Sequence, residues 1–348
     1  MRRIALASTM LLALCTGTQA ADQVKLGNLT QLSGPISPAG TETKRGIDLA
    51  LEELGNKLGG LPVKYTSFVD AGIFAVGALA GPLQFAGKEC HPNGFFVSFS
   101  NDDWPAAVGK YMTDKGVKSA FFLGADYQAG YEHVGAAIRY FKGKAIGPVY
   151  TPLTQLDFAP EIARIRAEKP DAVFAFLVGA GGVAFVKQYA QAGLQHQLPF
   201  YTEDPVANPL TFPAQGDAAL GVIMGTNWTA DLDNAANKKF VASFTAKYNR
   251  LPATFAALGY DAIKLIDSAV AGVGGKIENK DAVRAALRKA NFQSVRGAFK
   301  FNNNHFPIQN LYIMEVKKDE NGNLKAALKD TAIKDWQDPY HQECPMKW

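Results

Sequence analysis

The sequence predicts an α/β protein, with parallel sheets flanked by helices and divided between two lobes. Three observations carry that prediction. Short runs rich in β-branched and aromatic residues alternate with helical runs, the order that builds parallel sheets through right-handed crossovers. The chain's 348 residues exceed the length at which one hydrophobic core stops growing. Beyond the N-terminal segment, no apolar stretch reaches the roughly 18 residues of a membrane-spanning helix.

The chain opens with Arg2 and Arg3, an apolar run from Ile4 to Leu14, and small residues at Thr18 and Ala20. No acid precedes Asp22. This is the order of a cleavable secretory signal, with cleavage expected after Ala20. A lipoprotein would need a small residue before Cys15, and Leu14 is not small. Removing the signal leaves 328 of the 348 residues and lowers the formal charge from +4 to +2. Interspersed charges of both signs exclude a nucleic-acid footprint. The mature chain is expected to be soluble and to work outside the cytoplasm, where disulfides persist. Two cysteines then remain, Cys90 and Cys344. They form either one bridge closing a very long loop or two unpaired buried thiols.

Strands are predicted at Val24–Asn28, Pro62–Val69, Ile73–Leu79, Ala120–Leu123, Ala172–Val178, Leu198–Tyr201 and Val222–Gly225. Between them, helices are predicted at Thr43–Leu54, Ala106–Lys115, Gly130–Phe141, Ala159–Glu168 and Gly182–Ala192. From Asn237 the chain reads as helical to Tyr248, then over Thr254–Val273 and Lys280–Ala290. Phe299–Phe301 and Tyr312–Val316 read as closing strands around a turn at Asn302-Asn303-Asn304. The rhythm breaks once. Only Asp70-Ala71-Gly72 separates two predicted strands, too short a link for a parallel pair. Either a local antiparallel element sits here, or a helical crossover is missing.

The sharpest local motif begins at Gly179-Ala180-Gly181, where a strand runs into a helix opened by Val183-Ala184. It matches the G-x-G-x-x-A dinucleotide fingerprint, with Glu203 and Asp204 near the spacing of a ribose-binding acid. Three readings follow: a nicotinamide site, a tight turn with no ligand, or a helix N-terminus facing a small anionic or zwitterionic solute. The secretory signal argues against a cytoplasmic cofactor. No G-x-S-x-G or H-E-x-x-H motif occurs. The five histidines (His91, His133, His196, His305, His341) lack metal-ligand spacing and read as surface or loop residues. Asp102-Asp103 precedes a helix and reads as an N-cap. Asn28-Leu29-Thr30 and Asn227-Trp228-Thr229 match the glycosylation sequon as chance matches do, and Lys317, Lys318 and Lys325 read as a solvated face.

Several longer stretches carry a resemblance: Gln31-Leu32-Ser33-Gly34-Pro35, Ala80-Gly81-Pro82, Ala86-Gly87-Lys88-Glu89-Cys90, Asp126-Tyr127-Gln128-Ala129-Gly130 and Gly259-Tyr260-Asp261-Ala262. Phe301-Asn302-Asn303-Asn304-His305-Phe306-Pro307 and Cys344 extend it to the C-terminus. From Val24 onward the chain resembles the periplasmic solute-binding proteins of ATP-driven importers, leucine/isoleucine/valine-binding branch, a type I fold. The resemblance implies two Rossmann-like lobes joined by a three-segment hinge. Residues 21–100 with 231–300 would form the N-terminal lobe, and 101–230 with 301–348 the C-terminal lobe. A solute would bind in the cleft, and hinge closure would present the complex to an inner-membrane permease. The implied protein is a periplasmic monomer, without cofactor, metal or catalysis.

The implied contacts are the loop from Ser33, the turn Leu79-Ala80-Gly81 for a carboxylate, Tyr127, Gly179 or Ala180, and Asp204 for an α-ammonium. Where the family often has a hydroxyl residue and a tyrosine, this sequence has Gly81 and Gly179-Ala180. Asp204 makes the expected solute a branched-chain or other hydrophobic amino acid or related small carboxylate, and the lost hydroxyl and tyrosine motivate an aromatic carboxylate as the alternative. The family's helix–strand–helix unit between Asp70 and Ile73 is missing, which leaves the N-terminal lobe short of one strand and makes a binding-impaired protein the other alternative.

Overall fold

The computed structural model describes residues 23–26, 37–65 and 73–347. The signal segment, Ser33 and the junction at Asp70 lie outside the described residues. The chain begins with β1 (Val24–Leu26), α1 (Ser37–Glu53), β2 (Lys57–Leu58) and β3 (Leu61–Tyr65). β4 (Ala75–Gly77), α2 (Leu83–Ala86) and β5 (Gly94–Phe96) follow. Next come α3 (Asp103–Asp114), β6 (Ser119–Ala125), α4 (Gln128–Tyr140), β7 (Lys144–Thr151), α5 (Ala159–Glu168) and β8 (Ala172–Phe176). The chain continues through α6 (Gly179–Gln191), β9 (Phe200–Glu203), α7 (Phe212–Gln215), β10 (Ile223–Thr226), α8 (Ala235–Tyr248), α9 (Thr254–Gly272) and α10 (Lys280–Lys289). It closes with β11 (Lys300–Phe301), β12 (Pro307–Lys318) and β13 (Leu324–Trp336).

The large sheet runs β11-β12-β10-β9-β8-β6-β7, with β13 paired to β12. From β7 to β10 the pairings are parallel, and β12 and β13 add antiparallel. Alternation across the pleat separates two cores. Phe121, Leu123, Val173 and Ala175 join the cluster under α5 and α6. Ala120, Phe122, Phe174 and Phe176 join the opposite one with Trp104, Tyr111 and Met112 of α3.

The other lobe is divided. β1, β3 and β2 form one small sheet, and β4 pairs with β5 in another. Among the described residues β3 and β4 are thus not partners. β4 is instead parallel to β5, through a crossover that carries α2. Two further cores draw on residues 24–97 and 228–301. α1 and α9 hold this lobe together by close approach. A Cβ on Gly46 would lie 1.9 Å from the Ala256 carbonyl oxygen, and one on Gly259 2.3 Å from that of Thr43. Only glycine at both positions lets the two backbones meet.

The predicted elements recur with shifted ends, and four strands, the two-residue β2 with β5, β7 and β13, lie outside the prediction. β7 carries Gly147-Pro148 in its middle, which masks a strand pattern; it sits at the sheet edge, where proline is tolerated. β13 spans a lysine-bearing segment that reads as solvated; Lys325 ion-pairs with Asp231 at 2.6 Å, and charged edges protect a sheet from pairing with other chains. β5 is only three residues long. Cys90 and Cys344 are bridged, with Cα atoms 5.7 Å apart, so the reading as two free thiols is set aside.

Candidate ligand-binding site

A cavity of about 310 Å³ opens beyond the carboxyl ends of β6, β8 and β9. Ligand sites of open α/β sheets lie in this position, and the volume is at the small end of ligand pockets. Its walls are largely aromatic and aliphatic. Tyr127 follows β6, Phe176 ends β8, and Gly179, Ala180 and Val183 begin α6. Leu79, Ala80, Phe99 and Phe255 complete the enclosure. The rings are mutually fixed. The His133 imidazole stacks on Phe176 at 4.0 Å between centroids, and Trp104 stacks on Phe99 at 3.8 Å.

Most polar groups in the wall already have partners. Asn101 donates to Glu132 at 2.7 Å and accepts from the Gly81 amide at 3.3 Å. Asn208 donates to the Asp204 carbonyl at 2.8 Å and accepts from the Leu210 amide, while the Thr211 hydroxyl accepts from the Asn208 amide. Three groups in the wall have capacity left among the described residues. The Tyr127 hydroxyl makes no hydrogen bond, and burial together with the Glu203 and Glu132 charges pushes its pKa up, so it stays an O–H donor. The fully buried Trp104 carries an unpaired indole Nε1–H. His133 uses only Nδ1, 2.6 Å from Glu203 Oε2, which leaves Nε2 without a hydrogen bond.

Five residues expected at the site, Leu79, Ala80, Tyr127, Gly179 and Ala180, lie in one wall. Gly81 does not line it. Its amide is occupied by Asn101, and a Cβ there would fall 1.7 Å from the Phe99 carbonyl oxygen, so close packing demands glycine. Asp204 lines a different cavity, of about 580 Å³, beside Trp228 and Arg250. Its carboxyl accepts from the Thr254 hydroxyl at 3.0 Å, and burial pushes its pKa up to about 7. Ser33 lies outside the described residues.

Several other expectations need correction. The helix after β8 opens at Gly179, with φ +59°, and not at Val183. Of the fingerprint glycines, Gly179 needs its positive φ for the turn and a Cβ on Gly181 would meet the Gln155 carbonyl oxygen at 3.2 Å, so turn and packing account for both without a dinucleotide. Glu203 is fully buried against His133, which removes it as a ribose-binding acid. His133 and His305 are buried, not surface residues. Asp102 and Asp103 make no cap bond. Asp102 instead accepts from Arg139 at 2.6 Å, and Asp103 accepts from Ser100, Gln309 and Trp336. Asn227 of the second sequon is buried and donates to Gln309 and the Ser98 carbonyl. Sequence reading missed His133 because its partner stands 70 residues away.

Known proteins share this architecture. The family model for periplasmic binding proteins matches residues 67–322. The chain belongs to the periplasmic binding protein family. A Leu/Ile/Val-binding protein homolog of Brucella melitensis is 28% identical, covering 92% of this chain and 95% of the relative. That alignment runs to 372 positions, more than the 348 residues here, so the relative has residues with no counterpart in this chain. A benzoate complex of an R. palustris ABC-transporter solute-binding protein superposes with TM-score 0.82 at 29% identity, covering 91% of this chain and 98% of that one. A Rhodopseudomonas palustris BisB5 solute-binding protein with 3,4-dihydroxybenzoic acid gives TM-score 0.78 at 25% identity, covering 90% and 99%. This periplasmic binding protein therefore has the two-lobed type I fold. Among the described residues, no helix is long and apolar enough to cross a membrane.

Proposed function

We propose that this chain is the solute-capturing component of an ATP-driven importer, exported by cleavage after Ala20 and delivering its cargo as a monomer to an inner-membrane permease. Residues 21–100 with 231–300 act as one lobe and 101–230 with 301–348 as the other. The cargo is a small hydrophobic carboxylate, held without covalent chemistry. One observation carries this reading: the polar groups left unpaired around the aromatic cavity are Tyr127 Oη, Trp104 Nε1 and His133 Nε2. The phenol can donate to a carboxylate, and the indole is a donor only, which a carboxylate accepts and an ammonium does not. The acid that the resemblance assigns to an α-ammonium, Asp204, lines another cavity. That placement favours an aromatic acid over a zwitterionic amino acid. The bound ligands of the two R. palustris relatives support it, and the name of the Brucella relative supports the amino acid.

Calorimetry and thermal shift on residues 21–348, with benzoate and leucine as probes, test the reading. Binding to the folded state adds about 2.7 kcal/mol of stability at a hundredfold excess over Kd. A melting shift with benzoate and a smaller one with leucine is expected. Micromolar or tighter leucine binding reverses the preference. No binding of either probe leaves the binding-impaired alternative, through the segment missing after Asp70.

A further inference from the structure

We infer that the buried pair His133–Glu203 is a proton-coupled carboxylate receptor: with two protons on the pair, His133 Nε2–H faces the cavity and binds the cargo's carboxylate. This rests on the cargo class proposed above and names the group that reads it.

The geometry fixes the ring in one orientation. His133 lies on α4 and is 3% exposed. Its plane is within 3° of the Phe176 ring, and Glu203 of β9 holds Nδ1 at 2.6 Å. In histidine, the bond made by one ring nitrogen sets what the other can do. The pair can hold one proton or two. With one, Glu203 is a carboxylate accepting from Nδ1–H, and Nε2 presents a lone pair that repels a carboxylate. With two, Nε2 carries a hydrogen whether the shared proton sits nearer Nδ1 or Glu203. Only that form donates to the ligand. Burial raises the Glu203 pKa against the pull of His133, which favours keeping a proton in the pair. The second oxygen, Oε1, has no hydrogen-bond partner, as fits a carboxyl that is not a full anion.

Other charged groups face the pair. Asp102, at the start of α3, acts on His133 and is itself held by Arg139 and Tyr140 of α4. Tyr127 feels Glu203 and Glu132. Asp102 is paired with Arg139, while the His133–Glu203 pair shares one hydrogen bond and is assigned the exchanged proton, as a coupled pair; the His133 ¹⁵N shift separates it from Asp102.

Binding therefore takes up one proton when the pair starts with one. Benzoate affinity falls as pH rises through the pair's titration, by up to tenfold per pH unit. Benzamide, neutral and of the same shape, shows no such slope.

The test compares benzoate, benzamide and acetate by calorimetry from pH 5.5 to 8.5, in buffers of different ionisation enthalpy, with ¹⁵N shifts of the imidazoles. Expected are proton uptake with both carboxylates, a ¹⁵N shift at His133 Nε2, and at least a tenfold benzoate loss in His133→Gln with benzamide changed less than twofold. Glu203→Gln, which keeps a hydrogen bond to the ring, should flatten the pH dependence. Carboxylate binding without proton uptake or a His133 response overturns the inference. So does an equal loss of both aromatic ligands in His133→Gln, the signature of a structural role. A His133 response to acetate, with benzoate no tighter than acetate, keeps the receptor and refutes the aromatic cargo. Binding of neither carboxylate refutes both.

Discussion

Replacing Asp204 by Asn separates the two cavities and gives a stability signal whose sign follows from burial. Asp204 is 6% exposed, and burial raises its pKa from 3.8 to about 7, opposed by bonds from Thr254 and Asn208 and reinforced by the Glu42 charge. A carboxyl raised in the folded state binds more protons there than in the unfolded chain. Its contribution is therefore fully present below the unfolded pKa and is lost as pH climbs through the folded one. Roughly three pH units at about 1.4 kcal/mol per unit bound the loss near 4 kcal/mol, and about 2.5 kcal/mol of it falls between pH 5 and pH 8. Asparagine has nearly the same shape and does not titrate, but it gives up one accepted hydrogen bond, worth about 1 kcal/mol. Urea denaturation should thus find Asp204→Asn slightly less stable than the parent at pH 5 and equal or more stable at pH 8. Benzoate affinity should stay within twofold, because Asp204 lines the other cavity. A parent–variant difference that is flat from pH 5 to 8 refutes the burial argument. A tenfold loss of benzoate affinity refutes the assignment of the aromatic cavity.

Three further outcomes follow from single contacts. Tyr127→Phe removes a free hydroxyl from the cavity wall and should weaken benzoate about fivefold to tenfold by calorimetry, with the melting temperature unchanged. Reducing the Cys90–Cys344 bridge, which spans 254 residues of sequence, should lower unfolding free energy by about 5 kcal/mol in the chain-entropy treatment; equal denaturant midpoints with and without reductant would contradict it. Gly46→Ala places a Cβ against the Ala256 carbonyl and should destabilise by more than about 2 kcal/mol, read as a lower melting temperature.

Sequence reading reached the architecture because its signals are local. Phe121-Phe122-Leu123 and Val173-Phe174-Ala175 are short apolar runs between helices, and buried parallel strands look like that on both faces. It failed where a local signal was masked or a partner was remote. Gly147-Pro148 hid β7, and lysines hid β13. His133 looked ordinary until Glu203 and Phe176 were placed around it. Asp204 shows the converse. Its position after β9 suits a ligand contact, yet side chains alternate along a strand and its end. Glu203 thus turns to His133 while Asp204 turns to Thr254.

The same placement bears on how the N-terminal lobe proposed above would serve a binding cycle. Among the described residues, that lobe, as divided above, gives the cavity only Ala39, Leu79, Ala80, Phe99 and Phe255, none with a polar side chain. On that proposed division, Tyr127 and His133, the proposed carboxylate contacts, belong to residues 101–230. Recognition and closure are then separable. A ligand shifts a hinge equilibrium only by its differential contacts with the open and closed states. Those contacts here are apolar, so closure should respond to the ligand's hydrophobic body and not to its charge. Scattering from the mature protein should show the same compaction with saturating benzoate as with saturating benzamide, despite their different affinities. Acetate, which has the charge without the ring, should occupy the His133 end and leave the lobes open.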